Sequence, residues 1–217
     1  SRRLVLPAFH HEAIAAALHT MSGEIDQALE GWRDGQRIDL YGWTRRLALR
    51  IATRALFGFD PDGAGIRIDM AKKFEQGLGF WARDYLLQVM RGPGTPFAQM
   101  QAARRDLDEV IFEEIARRRH SGERGVDVLS LLLSISDRDH EGEALTDQQI
   151  RDEVMTLMFA GHDTTTSTVA FMFYELARQP AIVRDLREEQ ERVLGSEPPD
   201  AGLLMSGQLP RLDMVLD

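Results

Sequence analysis

Apolar residues recur at helical spacing along most of the chain. Over 10–34 the positions Ile14, Ala17, Leu18, Met21, Ile25, Ala28, Leu29 and Trp32 share one side of a helix that should end around Asp34-Gly35. Asp39 opens a second run, with Leu40, Trp43, Leu47, Ile51 and Leu56 on the same spacing, which closes near Gly58 ahead of an Asp60-Pro61-Asp62-Gly63 turn. A third run covers roughly 68–88 and is broken by Pro93, Gly94 and Pro96. A long charged helix follows over about 98–120, with Leu107, Val110, Ile111 and Ile115 facing inward. Residues 126–135 are short and apolar, and 181–194 make a further amphipathic helix. Few segments alternate with period two, so the fold class is mainly α, with strands a minor part at best.

One run differs from the others. Thr146 stands three residues before Gln149, a capping-box spacing, and Asp147 sits in the first turn, where a carboxylate suits the helix dipole. Val154, Met155, Leu157, Met158 and Phe159 follow, and Val169, Ala170, Phe171, Met172, Phe173, Tyr174 and Leu176 come later, so apolar side chains occur all round. This pattern predicts that 146–179 is the longest helix, central in the fold and covered over its whole circumference. Pro180 should stop or bend it just after Gln179. A membrane span is a poor account, because His162 and Asp163 sit at the centre of the run and no flanking segment repeats it.

The middle of this helix reads Ala160-Gly161-His162-Asp163-Thr164-Thr165-Thr166-Ser167. An uncompensated Asp among apolar side chains costs several kcal/mol unless it is paired, hydrated or neutralised, so a polar cavity is expected at this level. Ala160 and Gly161 lie one turn before Thr164 on the same face, and their small size lets a flat cofactor or a diatomic ligand approach the backbone. Asp163 and Thr164 are the catalytic candidates: the hydroxyl can donate to a bound oxygen species, and the carboxylate can relay protons. The plain alternative is a threonine bonded to its own i−4 carbonyl and an aspartate in an ion pair. His162 is expected to pack or to meet solvent, with proton delivery or a bond to a cofactor carboxylate as the other reading.

Composition narrows the setting. With 217 residues, 43% of them hydrophobic, the chain can bury one sizeable core or be about half of a larger one. A net charge of −9 and a pI near 5.2 argue against nucleic acid, and the Arg clusters at 45–46, 104–105 and 117–119 are expected to be solvated helix faces. His10, His11, His19, His120 and His140 show no metal-binding helical pairing. Asp137-Arg138-Asp139-His140-Glu141-Gly142 resembles the opening of a calcium loop, but Gln148 occupies the twelfth position where a bidentate Glu should close it, so an acidic turn is expected. Gly92-Pro93-Gly94 lacks the context of a phosphate-binding loop. No repeat, composition shift, signal peptide or membrane anchor stands out, so a single-domain, soluble, cytoplasmic protein of bacterial type is expected.

The motif at 160–165 resembles the long distal helix of the cytochrome P-450 monooxygenases, which carries an acid and threonine pair above the haem. Arg2-Arg3-Leu4-Val5-Leu6-Pro7-Ala8-Phe9 is similar to the end of that family's early haem-contacting helix. Leu209-Pro210-Arg211-Leu212-Asp213-Met214-Val215-Leu216-Asp217 resembles the start of the helix that carries its Glu-x-x-Arg pair. The resemblance extends over essentially the whole chain. It implies a partial P-450 fold in a single incomplete catalytic domain, an internal fragment that is inactive alone and exposes apolar surface.

The resemblance also implies a haem b cofactor, with Ala160, Gly161 and Thr164 lining an oxygen groove, Arg2 contacting a propionate, and Asp163 and Thr164 delivering protons to the dioxygen. Arg3 is a lesser candidate for the same contact. The family's iron ligand is a cysteine, and this chain has none. The implied reaction inserts one oxygen atom into a small, mostly apolar organic substrate, with electrons from NAD(P)H through a reductase, a ferredoxin or a fused reductase. Residues 77–97 would form the mobile lid over the substrate pocket. The alternatives from other classes are a non-enzymatic helical bundle that binds a partner and a helical metal-carboxylate protein.

Overall fold

The structure, a computed structural model, describes residues 11–58, 70–123, 125–138, 145–197, 199–204 and 206–216. Its described elements are α1 (His11–Leu29), α2 (Leu40–Phe57), α3 (Met70–Gly79), α4 (Tyr85–Val89), α5 (Pro96–Ser121), α6 (Val128–Arg138), α7 (Asp147–Arg178), α8 (Pro180–Leu194), α9 (Ala201–Leu204) and α10 (Pro210–Leu216). No strand occurs among the described residues, in agreement with the mainly α expectation. None of the described helices is long and apolar enough to cross a membrane. The Asp139–Gly142 part of the calcium-like sequence lies outside the described residues.

Helix ends follow local chemistry. Thr146 N–H donates to Gln149 Oε1 at 2.9 Å and Gln149 N–H to Thr146 Oγ1 at 3.2 Å, the reciprocal pair expected from their spacing. Thr95 Oγ1 accepts from Ala98 N–H at the start of α5, where Pro96 takes the first helical position, and Gly122 closes that helix at φ 69°. Pro180 separates α7 from α8, and only Gln179 lies between them.

Two expected helices are shorter than their periodicity suggested. The first stops at Leu29, and Trp32 then packs edge-on against Trp43 with ring centroids 4.8 Å apart. Aromatic packing thus overrides the helical register. The run over 68–88 divides into α3 and α4, because Phe80 leaves the helix to become buried and lies 6.0 Å from Phe97. Gly77 and Gly79 weaken the last turn of α3, which makes this break inexpensive.

The chain forms two compact units. The first is Leu56–Leu157, in which α3, α4 and α6 pack against α5. On α5 the residues Ala103, Leu107, Ile111 and Ile115 are fully or almost fully buried, a stripe with four-residue spacing along one face. The second unit is Arg2–Ala55 with Met158–Asp217, in which α9 packs on α1 and α10 on α8. There the buried Glu24 carboxylate joins α1 to α2 by accepting from Arg50 Nε at 2.8 Å and pairing its charge with Arg54, whose Nε lies 2.6 Å away.

The arginine cluster at 117–119 corrects the expectation of a solvated face. Arg118 is buried: its guanidinium donates to Glu114 at 2.5 Å, Asp127 at 2.7 Å, Ser130 Oγ at 2.6 Å, and the carbonyl of Phe57. These partners bind the end of α2 and the turn before α6 to α5. Asp127 occupies the space where a Cβ at Gly58 would come within 2.7 Å of Oδ2, and Gly58 also has φ 68°. Both conditions require glycine there.

Burial alone would raise the Glu114 carboxyl pKa, but the hydrogen bonds and charges of Arg117 and Arg118 outweigh it and hold the pKa below its ordinary value. Replacing Arg118 by Ala should lower unfolding stability by about 3–5 kcal/mol, because Asp127 is left as a buried unpaired charge; urea unfolding midpoints measure this. A depressed carboxyl pKa stabilises above the unfolded value, near 4.5, and that contribution disappears as pH falls through the lower folded value. Unfolding curves taken downward from pH 6 should therefore show a stability loss that is smaller in Glu114→Gln.

Candidate functional site

At 32 residues α7 is the longest described helix. Ile150, Val154, Met158, His162 and Thr166 are all fully buried, each four residues after the last. The expectation that the helix would be covered on all sides does not hold. Phe159, Phe171, Phe173 and Tyr174 are exposed, as are Ala160, Gly161 and Thr164. One stripe is therefore buried, and the rest of the helix surface is largely open.

This division separates the residues of the central motif. At about 100° per residue, Thr164 lies about 200° from both His162 and Thr166, so the open face carrying Thr164 is opposite the buried stripe. Ala160, Gly161 and Thr164 share that face, as their spacing predicted. A Cβ built on Gly161 meets no atom within 4 Å, so the backbone there borders open space. Asp163 lies between the two faces with its side chain about half exposed.

Asp163, Thr164 and Thr166 each have a local partner. Thr164 Oγ1 donates to Ala160 O at 2.5 Å, and Thr166 Oγ1 donates to His162 O at 2.7 Å. The Thr164 bond is the i−4 contact named as the plain alternative. It stores the hydroxyl against the helix, from which a side-chain rotation releases it. The Asp163 carboxylate approaches the ring of His162, with Oδ1 3.1 Å from Nδ1.

Among the described residues, no group of three or more His, Asp or Glu side chains is placed to hold a metal ion. A cleft of about 330 Å³ opens in the first unit beside Lys72, Glu75, Phe80, Arg83 and Gln99, none of which belongs to the motif. Arg2 and Arg3, the expected propionate contacts, lie outside the described residues.

The sequence matches the family model described as Cytochrome P450 over residues 1–217. The chain belongs to the cytochrome P450 family. It is 30% identical over 204 residues to the cyclooctat-9-en-7-ol 5-monooxygenase of Streptomyces melanosporofaciens, covering 91% of this chain and 43% of that protein. Pentalenene oxygenase of Streptomyces avermitilis is likewise 30% identical, with 91% of this chain and 44% of that one covered. Among solved structures, the retinoic acid bound cyanobacterial CYP120A1 superposes with a TM-score of 0.80 at 25% identity, over 99% of this chain and 46% of that one. A cytochrome P450DA heme domain gives a TM-score of 0.79 at 24% identity, over 99% and 47%, which supports the fold. The chain thus spans somewhat less than half the length of these relatives and has a partial P450 fold.

Thr166 was not singled out from sequence. Thr166 is as buried as His162, and its signal was the four-residue series running back through Met158, Val154 and Ile150. His162 was expected to pack or to meet solvent, and it packs.

The open space at Gly161 generates a test. Gly161→Ala should leave the fold intact and stabilise it by up to about 1 kcal/mol, since alanine is the better helix former and nothing is displaced. Thermal unfolding checks this, and a marked destabilisation would show that the face is closed.

Proposed function

We propose that this P450 is a haem-dependent monooxygenase that inserts one atom of dioxygen into a small, mostly apolar organic substrate. The observation that carries the reading is the open face of Ala160, Gly161 and Thr164 on a long helix, with a half-exposed acid beside it. The printed activities of the two Streptomyces relatives, a monooxygenase and an oxygenase, support the same reaction class.

The residues present fit a flat cofactor. Exposed Ala160 and Gly161 offer backbone and little side chain, so a planar group can approach without displacing atoms. When bound, the haem supplies the iron chemistry that activates dioxygen. The 217 residues contain no cysteine, so a thiolate ligand is not among them. Arg2 is assigned to a propionate, where a guanidinium can make bidentate, charge-assisted bonds. Electrons are assigned to NAD(P)H, delivered by a reductase or ferredoxin.

Within this scheme Thr164 and Asp163 manage protons. Thr164 Oγ1 leaves the Ala160 carbonyl and orients a water and its proton on the open face. Asp163 turns from its contact with His162 to exchange protons with solvent, a motion its partial exposure allows. Apolar neighbours such as Phe159 and Phe171 line the surface beyond the motif and suit a hydrocarbon-like substrate.

In the complete haem-loaded protein, Thr164→Ala should keep haem and substrate binding while diverting electrons to hydrogen peroxide, because ordering of the proton donor is lost but no substrate contact is. Asp163→Asn keeps the shape and removes the ionisable group, so turnover should fall by about 10- to 100-fold with a raised solvent isotope effect. Product, peroxide and reduced-cofactor consumption are measured together. Unchanged coupling in the first variant together with normal turnover in the second would reject these roles.

A further inference from the structure

We propose that the cleft between α3, the turn at 80–84 and the start of α5 is a binding site for a small organic monoanion, a carboxylate carried on a flat apolar body. The cleft measures about 330 Å³, and its lining joins the cations Lys72 and Arg83 and the acid Glu75 to the ring of Phe80 and to Pro96. Small-molecule pockets run from about 300 Å³ upward, so this one suits a ligand of about ten non-hydrogen atoms. The lining belongs wholly to the unit Leu56–Leu157 and includes no residue of the α7 motif, and binding there does not depend on the proposed reaction.

The walls of the cleft are held by contacts of their own. Lys73, next in sequence to Lys72, pairs with Asp106 of α5 at 2.6 Å and pins α3 to α5. Phe80 is nearly buried and meets Phe97 of α5 with ring centroids 6.0 Å apart. Gln88 Nε2 donates to the carbonyls of Trp81 at 3.1 Å and Arg83 at 2.7 Å, which braces the turn that carries the Arg83 guanidinium. Walls that are already ordered lose less freedom on binding, so more of the interaction is realised as affinity.

Charge on those walls selects the ligand. Arg83 is exposed, and its guanidinium makes no hydrogen bond or ion pair among the described residues. Its planar fork can take a carboxylate through two parallel, charge-assisted bonds. Lys72 adds a second positive charge from α3, and Glu75 lies one turn after it on the same helix face. Two cations against one carboxylate favour a monoanion, since a second acidic group on the ligand would meet Glu75 as a like charge. Phe80 and Pro96 supply the apolar surface for the ligand's body. A carboxylate held by both cations would tie the turn to α3 and steady 81–91, where Trp81, Tyr85, Leu86, Val89 and Met90 are exposed and so contribute little packing.

Benzoate, its neutral isostere benzamide and the dianion isophthalate serve as probes, titrated into the complete haem-loaded protein at neutral pH and followed by calorimetry and amide hydrogen exchange. Benzoate should bind, less tightly as salt is raised, and should slow exchange in 81–91, while benzamide binds at least about fivefold more weakly. Arg83→Gln should weaken benzoate by about fivefold or more. Gly79→Leu should abolish binding by filling the cleft, because Gly79 lines it and a Cβ there meets no atom within 4 Å. Glu75→Gln should raise the affinity for isophthalate by about twofold or more relative to that for benzoate. Absence of benzoate binding, equal binding of benzamide, or a benzoate signal that survives both Arg83→Gln and Gly79→Leu would each overturn the site, and a ratio unmoved by Glu75→Gln would overturn its preference for a monoanion. If thermal unfolding shows that Gly79→Leu does not fold, Lys72→Gln, with an expected loss of about threefold, is judged by the same criteria.

Discussion

Burial of a single stripe along α7 is the constraint on which the site depends. Most of the stability of a helix within a protein, this 32-residue one included, comes from the face it packs. Here that face is Ile150, Val154, Met158, His162 and Thr166. Once those side chains are committed inward, the helix repeat places Ala160 and Thr164 opposite them, with exposed Gly161 at the border between the two faces. The chemistry-bearing face is therefore fixed by packing that none of its own residues provides. This also explains why a glycine is tolerated there: the helix is held from the other side, so a loss of propensity of about 1 kcal/mol at Gly161 does not break it.

A second constraint is electrostatic. Arg118 is charged and buried, and it is acceptable only because Glu114, Asp127, Ser130 and the Phe57 carbonyl surround it. Such a cluster contributes specificity of arrangement, because its partners come from α5 itself, from the segment that opens α6 and from the end of α2. Arg151 repeats the device on α7, donating to Asp108 of α5 through Nε at 2.7 Å and to Asp152 at 2.6 Å. Burial alone would lower the Arg151 pKa, but the two carboxylates outweigh it and raise it. The first turns of α7 are thereby fastened to α5 by charge.

Membership of the P450 family and the local geometry of the motif meet at one point. An acid and an alcohol adjacent in sequence are separated in space by the helix twist, one beside a buried imidazole and the other on an open face. In the proposed scheme, proton handling between two such groups depends on rotation of short side chains rather than on any movement of the helix. The resting contacts at Ala160 and His162 define where those rotations begin.

Much of this was legible in the residues themselves. The capping pair Thr146 and Gln149, the stop at Pro180 and the shared face of Ala160, Gly161 and Thr164 depend on interactions within a few residues, so spacing alone determined them. The family assignment was equally legible, because motif residues are a property of the sequence. Tertiary structure decided the rest. Arg118 reads as one of three solvated arginines until Asp127 and the distant Phe57 carbonyl close around it, and the helix break at Phe80 appears only when that ring finds Phe97. Likewise, all-round apolarity in α7 could not reveal which stripe is buried, nor that His162 lies on it with its ring against Asp163. Local hydrogen bonds and periodicity are encoded over a few residues; burial and ion pairing depend on groups far apart in the chain, and only the folded arrangement brings these together.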